Sequence, residues 1–486
     1  MKQALALCCV FLVACGGDLV GGMPGDDAAG GDTIVPGSET APATDGGTPG
    51  SDQQVPPAGD GPPGTADGQP PAPDQGTPQP DSTTPPAPTS CAPLPAPSGN
   101  VINVTPSQAA QLPQIVANAA AGSTIALADG TYKMTGGEAQ RRIQIQNNGI
   151  TVRSASGKRD AVIIDGEYQT NEIIVITGDD VTIADLTIKR AVDHLIHVTG
   201  GNDNTLRTKL WNLHLEDSGE QFVKVNPSGS NTYVDDGSLE CSRFVLTSAG
   251  RPNIEPNPGG CYTGGIDAHA ARGWVVRKNH FEGIYCTNGG LAEHAVHFWS
   301  TSRDTLVEQN VIVDCARGVG FGLRESGTPR RTYADNPYPG VGYLDHIDGI
   351  IRNNLIYASG AAASYFDTGI ELDQARGAAV HHNTVASKPT FSSIDYRFAN
   401  TQVAIHNNLV YRISLRNGAQ GTVSDNGPEP APASLFVNAA GGDWHLAAGA
   451  SAAIDKGKNL GTAAGLDLDG KPHTAGAGSD LGAYER

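Results

Sequence analysis

With 486 residues, 51 of them acidic against 32 basic, the chain carries a net charge of −19. That sign excludes nucleic acid as the natural partner, because a phosphate backbone wants a basic face. The charge is uneven: residues 16–98 hold eleven acidic residues, no Lys or Arg and no aromatic residue, whereas the body from residue 99 holds 31 basic and 40 acidic residues, a net −9. The body is long enough to bury a large core.

In chain order, Lys2 is followed by the apolar run ALALCCVFLVAC, too short to span a bilayer stably and suited to the centre of a signal peptide. Its end, Leu-Val-Ala-Cys, resembles the lipobox of bacterial lipoproteins. The resemblance implies that residues 1–15 are a signal peptide and that Cys15 carries the lipid. The protein would then belong to the bacterial cell envelope, surface-exposed or periplasmic, with the membrane touched only through that lipid. Residues 16–98, rich in Gly, Pro, Asp, Ala, Thr and Ser, bury too little apolar surface to offset chain entropy and read as a disordered tether. Beyond Cys15 stand Cys91, Cys241, Cys261, Cys286 and Cys315, an odd set that suits export. The expected pairs are Cys241–Cys261 and Cys286–Cys315, with Cys91 left at the end of the tether.

SQAAQLPQIVANAAAG (107–122) reads as a short amphipathic cap helix, and STIALADGTY after it as the first strand and turn. A phrase then returns eight times, starting at Ile183, Leu210, Leu239, Val276, Val307, Ile351, Val380 and Ile405, with gaps of 27, 29, 37, 31, 44, 29 and 25 residues. A fixed phrase with variable gaps means repeated coils with loops of different length. Its fourth position is Asn279, Asn310, Asn354, Asn383 and Asn408 in five successive copies. Asn tolerates the left-handed backbone of a sharp corner, and stacked amides can bond from coil to coil. The pattern is all-β: a right-handed parallel β-helix over 99–430, with 431–486 as further coils and the closing cap of the same solenoid.

Parallel coils make columns. Aligning the strand before each phrase on Ile196, Val223, Ile266, Val296, Val319, Ile370 and Ile394 places His197, Lys224, Asp267, His297, Gly320, Glu371 and Asp395 next, facing outward. Two residues further stand Thr199, Asn226, His269, Trp299, Gly322, Asp373 and Arg397. The two glycines read as cleared space, and the 324–346 insert brings Arg324 and Tyr343 to the same coil. An exposed Trp299 calls for something to stack on it. A long groove with charged and aromatic walls suits a polysaccharide.

TIALADGTY, the Asn phrases and the terminal DLDG and SDLGAYE resemble the pectate-lyase-like β-helix superfamily over residues 101–486. The resemblance implies fold more than chemistry, since the superfamily holds lyases, glycosidases, esterases and adhesins. Its Glu-x-Glu calcium motif and its Asn-Thr-Asp-Gly motif are both absent from this chain. For elimination, His297 is the expected base, with Arg317, Arg324 or Arg397 neutralising a uronate. Ca²⁺ on Asp267, Glu371 or Asp373 is the alternative neutraliser. For hydrolysis, Glu371 and Asp395 would be the carboxylate pair. Catalytic candidates are therefore His297, Glu371, Asp395 and Arg324, and substrate-binding candidates are Asp267, His269, Trp299, Arg317, Asp373, Arg397 and Tyr343. The alternative is a non-catalytic adhesive protein with the same groove. A monomer is expected.

Overall fold

The computed structural model describes residue 91 and residues 93–229, 231–254, 260–429, 431, 433–474 and 476–486. The expected signal peptide, the expected lipidation site Cys15 and the expected tether up to residue 90 lie outside the described residues. Three long parallel sheets wrap around one core, one strand per coil, as a right-handed parallel β-helix. The first sheet runs from Val101–Val104 to Gln420–Ser424. The second runs from Gly130–Lys133 to Thr384–Val385. The third, here the site sheet, runs from Ile143–Ile145 to Ile413–Arg416. Among the described residues no helix is long and apolar enough to cross a membrane.

The register agrees with the repeat. Ile183, Leu210, Leu239, Val276, Val307, Ile351, Val380 and Ile405 are successive partners in the first sheet. All eight are fully buried. Alternation forces this result, because slipping a strand by one residue would turn its whole apolar set to water. The Asn residues form a ladder. Each side-chain amide donates to the Oδ1 of the next, from Asn279 through Asn310, Asn354, Asn383 and Asn408 to Asn426, at 2.9–3.0 Å. The left-handed residue of each corner is not the ladder Asn but the residue before it: Asp185, Asn212, Cys241, Lys278, Gln309, Asn353, His382, Asn407 and Asp425 all have φ between 49° and 60°. The ladder Asn keeps an ordinary backbone and points inward, which is what lets it bond its neighbours.

The cap helix is shorter than expected, Leu112–Ala117, and buries Leu112, Pro113 and Val116. A strand, Val101–Val104, precedes it and pairs with Thr124–Leu127, so the coil starts before the helix. Among its described residues the C-terminal segment adds no further coil. It forms one antiparallel pair, Phe436–Asn438 with Asp443–Leu446, and then runs along the corners as a strap. The left-handed residues tie it down: Gln309 donates to the carbonyl of Asp467 at 2.5 Å, Asn353 to Ala464 at 2.7 Å and Asn407 to Lys458 at 2.8 Å, while His382 stacks on His473. Among the described residues no strand pairs beyond the last coil, and Leu415 and Val423 are exposed there.

The disulfides are Cys91–Cys241 and Cys261–Cys286, and Cys315 is a buried free thiol. This corrects both expected pairs. Cys91 is not left over, because the chain end is docked on the first sheet's outer face. Leu94 packs against Ala184, Trp211 and Cys241, and Arg153 donates to the carbonyls of Leu94 and Pro95. Cys315 lies in the core beside the Val313 carbonyl, where burial pushes its thiol up to about 12. Peptide mapping should recover those two crosslinks. Cys315 should resist alkylation until the protein is unfolded; labelling of Cys315 in the native chain would contradict the pairing.

Candidate functional site

The site-sheet column is in the predicted register: His197, Lys224, Asp267, His297, Gly320, Glu371 and Asp395 are successive partners. His269 pairs with Trp299, and Asp373 with Arg397. His297 and Glu371 therefore stand on one face, two coils apart. The face is not an open groove of solvated groups, however. Asp267, His297, Arg317, Glu371, Asp373 and Asp395 are all buried, because long side chains from neighbouring coils lie over one another and pair.

The pairing starts at Asp267, which accepts from Lys224 Nζ at 2.8 Å, Trp299 Nε1 at 2.8 Å and His269 Nε2 at 3.0 Å. Burial opposes its charge, but Lys224 and then His269 hold its carboxyl well below the usual range. His297 Nδ1 lies 3.4 Å from Asp267 and 3.3 Å from Glu293, and its Nε2 faces the Gly322 carbonyl at 3.2 Å. Burial alone would lower this ring, but the two carboxylates outweigh it and lift the imidazole to about 10. Its burial and this upward shift both stand against the expected role of His297 as the base.

Further along, Arg317 bridges Glu293 and Glu371 at 3.5 Å each, and His294 Nε2 meets Glu371 at 3.1 Å. Arg397 donates to Glu371 at 2.7 Å and grips Asp373 at 2.6 and 2.7 Å. Arg416 grips Asp395 at 2.9 and 3.0 Å. Glu371 is held low against burial by His294 and the arginines, whereas burial and the charge of Glu371 push Asp373 well up. The Ca²⁺ expectation named Asp267, Glu371 and Asp373, but Asp267 is separately engaged. Glu371, Asp373 and Asp395 do converge, with ligand atoms within 4.8 Å of one another, and could hold an ion. The two guanidinium forks already fill the cation's part there.

The glycines have a purpose other than the one expected. A Cβ on Gly320 would come within 2.8 Å of the His294 ring, and one on Gly322 within 1.8 Å of the Asp373 carbonyl oxygen. The cleared space is thus filled by His294 and by close approach of the next coil. Glu293 and His294 escaped the sequence reading. Strict alternation puts His294 opposite His297, yet His294 is the first residue of its strand and their ring centroids lie 4.6 Å apart.

Among the described residues of this face, His197, Asn226, His269, Trp299, Arg324, Tyr343, Arg397 and Arg416 are half-buried. His269 meets the Trp299 ring edge-on at 4.5 Å, and the Arg324 guanidinium lies 4.8 Å from that ring. Asp345 fixes the start of the insert by accepting from the backbone amides of Leu323 and Arg324 at 2.8 and 2.9 Å, and from the Tyr343 hydroxyl. Asp345, with Tyr343 on it, thereby sets where Arg324 projects.

No family model and no curated protein matches the chain. Among solved structures it is similar to the pectate lyase Pel9A, with 16% identity, a TM-score of 0.47 and coverage of 80% of this chain and 97% of the other. An alginate lyase from Paenibacillus sp. str. FPU-7 has 17% identity, a TM-score of 0.45 and coverage of 68% and 99%. PfbA, a surface adhesin of Streptococcus pneumoniae, has 11% identity, a TM-score of 0.39 and coverage of 65% and 85%. Enzymes and an adhesin stand side by side in this set, so the chemistry must be argued from this chain's own residues.

Proposed function

We propose that the protein is an envelope-tethered polysaccharide lyase that cleaves a uronic-acid polysaccharide on the outer face of the site sheet. The observation that carries this reading is the group at the solvent edge: His269 on Asp267, beside Trp299, with Arg324 over the same ring. A buried, ionised carboxylate that holds one imidazole nitrogen orients the ring as a general base. His269, oriented through Nε2 by Asp267, would be the base. Trp299 offers a face to a sugar ring, and Arg324 offers charge to the uronate carboxylate, which acidifies the C5 proton. His269 would take that proton, the C5–H electron pair would form a C4–C5 double bond, and the C4–O bond would break with its pair leaving on the glycosidic oxygen, which takes a proton from water. Elimination is favoured over hydrolysis because Glu371 and Asp395, the carboxylates a hydrolase would use, are buried and gripped by arginines. The lipobox-like Leu-Val-Ala-Cys and the acidic stretch after it support tethering through Cys15.

The purified full chain, offered a panel of polyuronates, should generate ultraviolet absorbance from an unsaturated sugar. His269→Ala should lower turnover about 100-fold or more without changing the melting temperature. Trp299→Ala should weaken retention on the same polysaccharide about 10-fold. Reducing ends without unsaturation would replace elimination by hydrolysis. Retention without any product would replace the enzyme by an adhesin.

A further inference from the structure

A second set of groups lies one coil along from His269, and it does not serve the base just described. Glu293, His294 and His297 fall in the run Glu-His-Ala-Val-His as the chain enters the strand His294–Trp299. Glu293 Oε2 lies 3.3 Å from His297 Nδ1 and 3.8 Å from His294 Nδ1, and one ligand atom from each of the three residues lies within 4.8 Å of the other two. All three residues are more than nine-tenths buried, and none of these three atoms makes a hydrogen bond, although Arg317 lies 3.5 Å from Glu293 Oε2 and Asp267 lies 3.4 Å from His297 Nδ1.

The other nitrogens explain why these atoms face each other. His294 Nε2 meets the Glu371 carboxylate at 3.1 Å, and His297 Nε2 meets the Gly322 carbonyl at 3.2 Å. Both partners can only accept, so each ring keeps a proton on Nε2 and turns Nδ1 toward the Glu293 oxygen. A second proton on His297 would satisfy that ring and Glu293. It would leave His294 Nδ1, a lone pair, facing a carboxylate oxygen without a partner. One proton cannot serve three converging acceptors, whereas one cation can. An imidazole tied through its far nitrogen to a carboxylate or a backbone carbonyl is the arrangement that presents a metal-binding nitrogen.

We propose that Glu293, His294 and His297 bind a divalent transition-metal ion, with zinc the best match. Bonds of about 2.0–2.1 Å in a tetrahedral site place neighbouring ligand atoms about 3.3–3.4 Å apart, which matches the 3.3 Å between Glu293 and His297 and needs a small inward movement of His294 from 3.8 Å. Two imidazole nitrogens and one carboxylate select zinc-like ions over Ca²⁺ and Mg²⁺, which want oxygen ligands. Three protein ligands leave a coordination position open. The His297 ring lies parallel to Trp299, with ring centroids 5.5 Å apart. The site stands on these side chains alone and does not depend on the lyase reading.

The test uses the full chain, stripped with chelator and titrated with Zn²⁺ alone. One Zn²⁺ per chain should bind and raise the melting temperature, while Ca²⁺ at the same concentration should not. Co²⁺ should give a visible spectrum of low-symmetry nitrogen and oxygen coordination. Glu293→Gln and His294→Ala should each weaken Zn²⁺ binding at least about 10-fold. Since either variant may fold poorly, anomalous diffraction at the zinc edge from the wild-type protein gives the independent reading, with one peak expected between the three ligand atoms. No uptake, a peak elsewhere, or unchanged affinity in a folded variant would overturn the site and leave a proton as its only occupant. None of these outcomes bears on whether His269→Ala loses turnover.

Discussion

Asn354→Ala should destabilise the protein by about 4 kcal/mol, whereas Asn426→Ala should cost about 1–2 kcal/mol. The Asn354 amide donates to the Val307 and Arg352 carbonyls at 3.0 Å and to Asn383 Oδ1 at 2.9 Å. Its own Oδ1 accepts from the backbone and side chain of Asn310 at 3.0 and 2.9 Å. Truncation strands several of these groups at a position that is fully buried, and each stranded buried group costs about 1–3 kcal/mol. Partial relaxation keeps the total below the simple sum. Asn426 makes bonds of the same kind but lies at the ladder's end and is half-buried, so water can replace what is lost. Urea unfolding of the two variants decides the matter. Equal costs would mean that the ladder is decoration on a fold held by its apolar columns alone.

The columns themselves were legible because alternation and stacking leave little freedom. Once the Val, Ile and Leu positions are aligned, every strand's face is fixed, and both the repeat and the site-sheet column fall into register. The corner was misread by one residue, because Asn suits both a left-handed backbone and an amide ladder and the sequence does not say which use applies. In Asn353-Asn354 and Asn407-Asn408 the two uses stand side by side. Burial of the column was not legible either. A strand pattern shows which residues leave the core, but not how far Arg317, Arg397 and Arg416 reach back over their neighbours. That is why a wall of candidate catalytic groups proved to be mostly an internal ion network, and why the proposed function rests instead on His269, Trp299 and Arg324 at its edge. The disulfides depended on where the chain before residue 99 docks, which no spacing rule contains.

The network makes Arg397 the residue whose loss should be felt next most strongly. Arg397→Met should destabilise the protein by about 3–5 kcal/mol at neutral pH, the usual cost of removing one partner from a buried pair. Its guanidinium makes three charge-assisted bonds, to Glu371 at 2.7 Å and to Asp373 at 2.6 and 2.7 Å. Without it, Glu371, Asp373 and Asp395 would crowd within 4.8 Å of one another, with Arg416 committed to Asp395. The pH dependence has a definite sign. Burial and Glu371 already push Asp373 above its unfolded value, so a proton on it favours the folded state. That contribution is complete below the unfolded value and is lost as pH rises through the folded one. Removing Arg397 raises the folded value further. The variant's deficit relative to wild type should therefore shrink as pH falls toward the carboxylate range. Arg397→Met combined with Asp373→Asn should recover most of the loss at neutral pH, because it removes a charge rather than restoring a partner. Denaturant unfolding of the two single variants and the double variant across pH completes the cycle. A deficit that is independent of pH, or a double variant no better than Arg397→Met, would show that Arg397 acts through packing rather than by neutralising buried carboxylates.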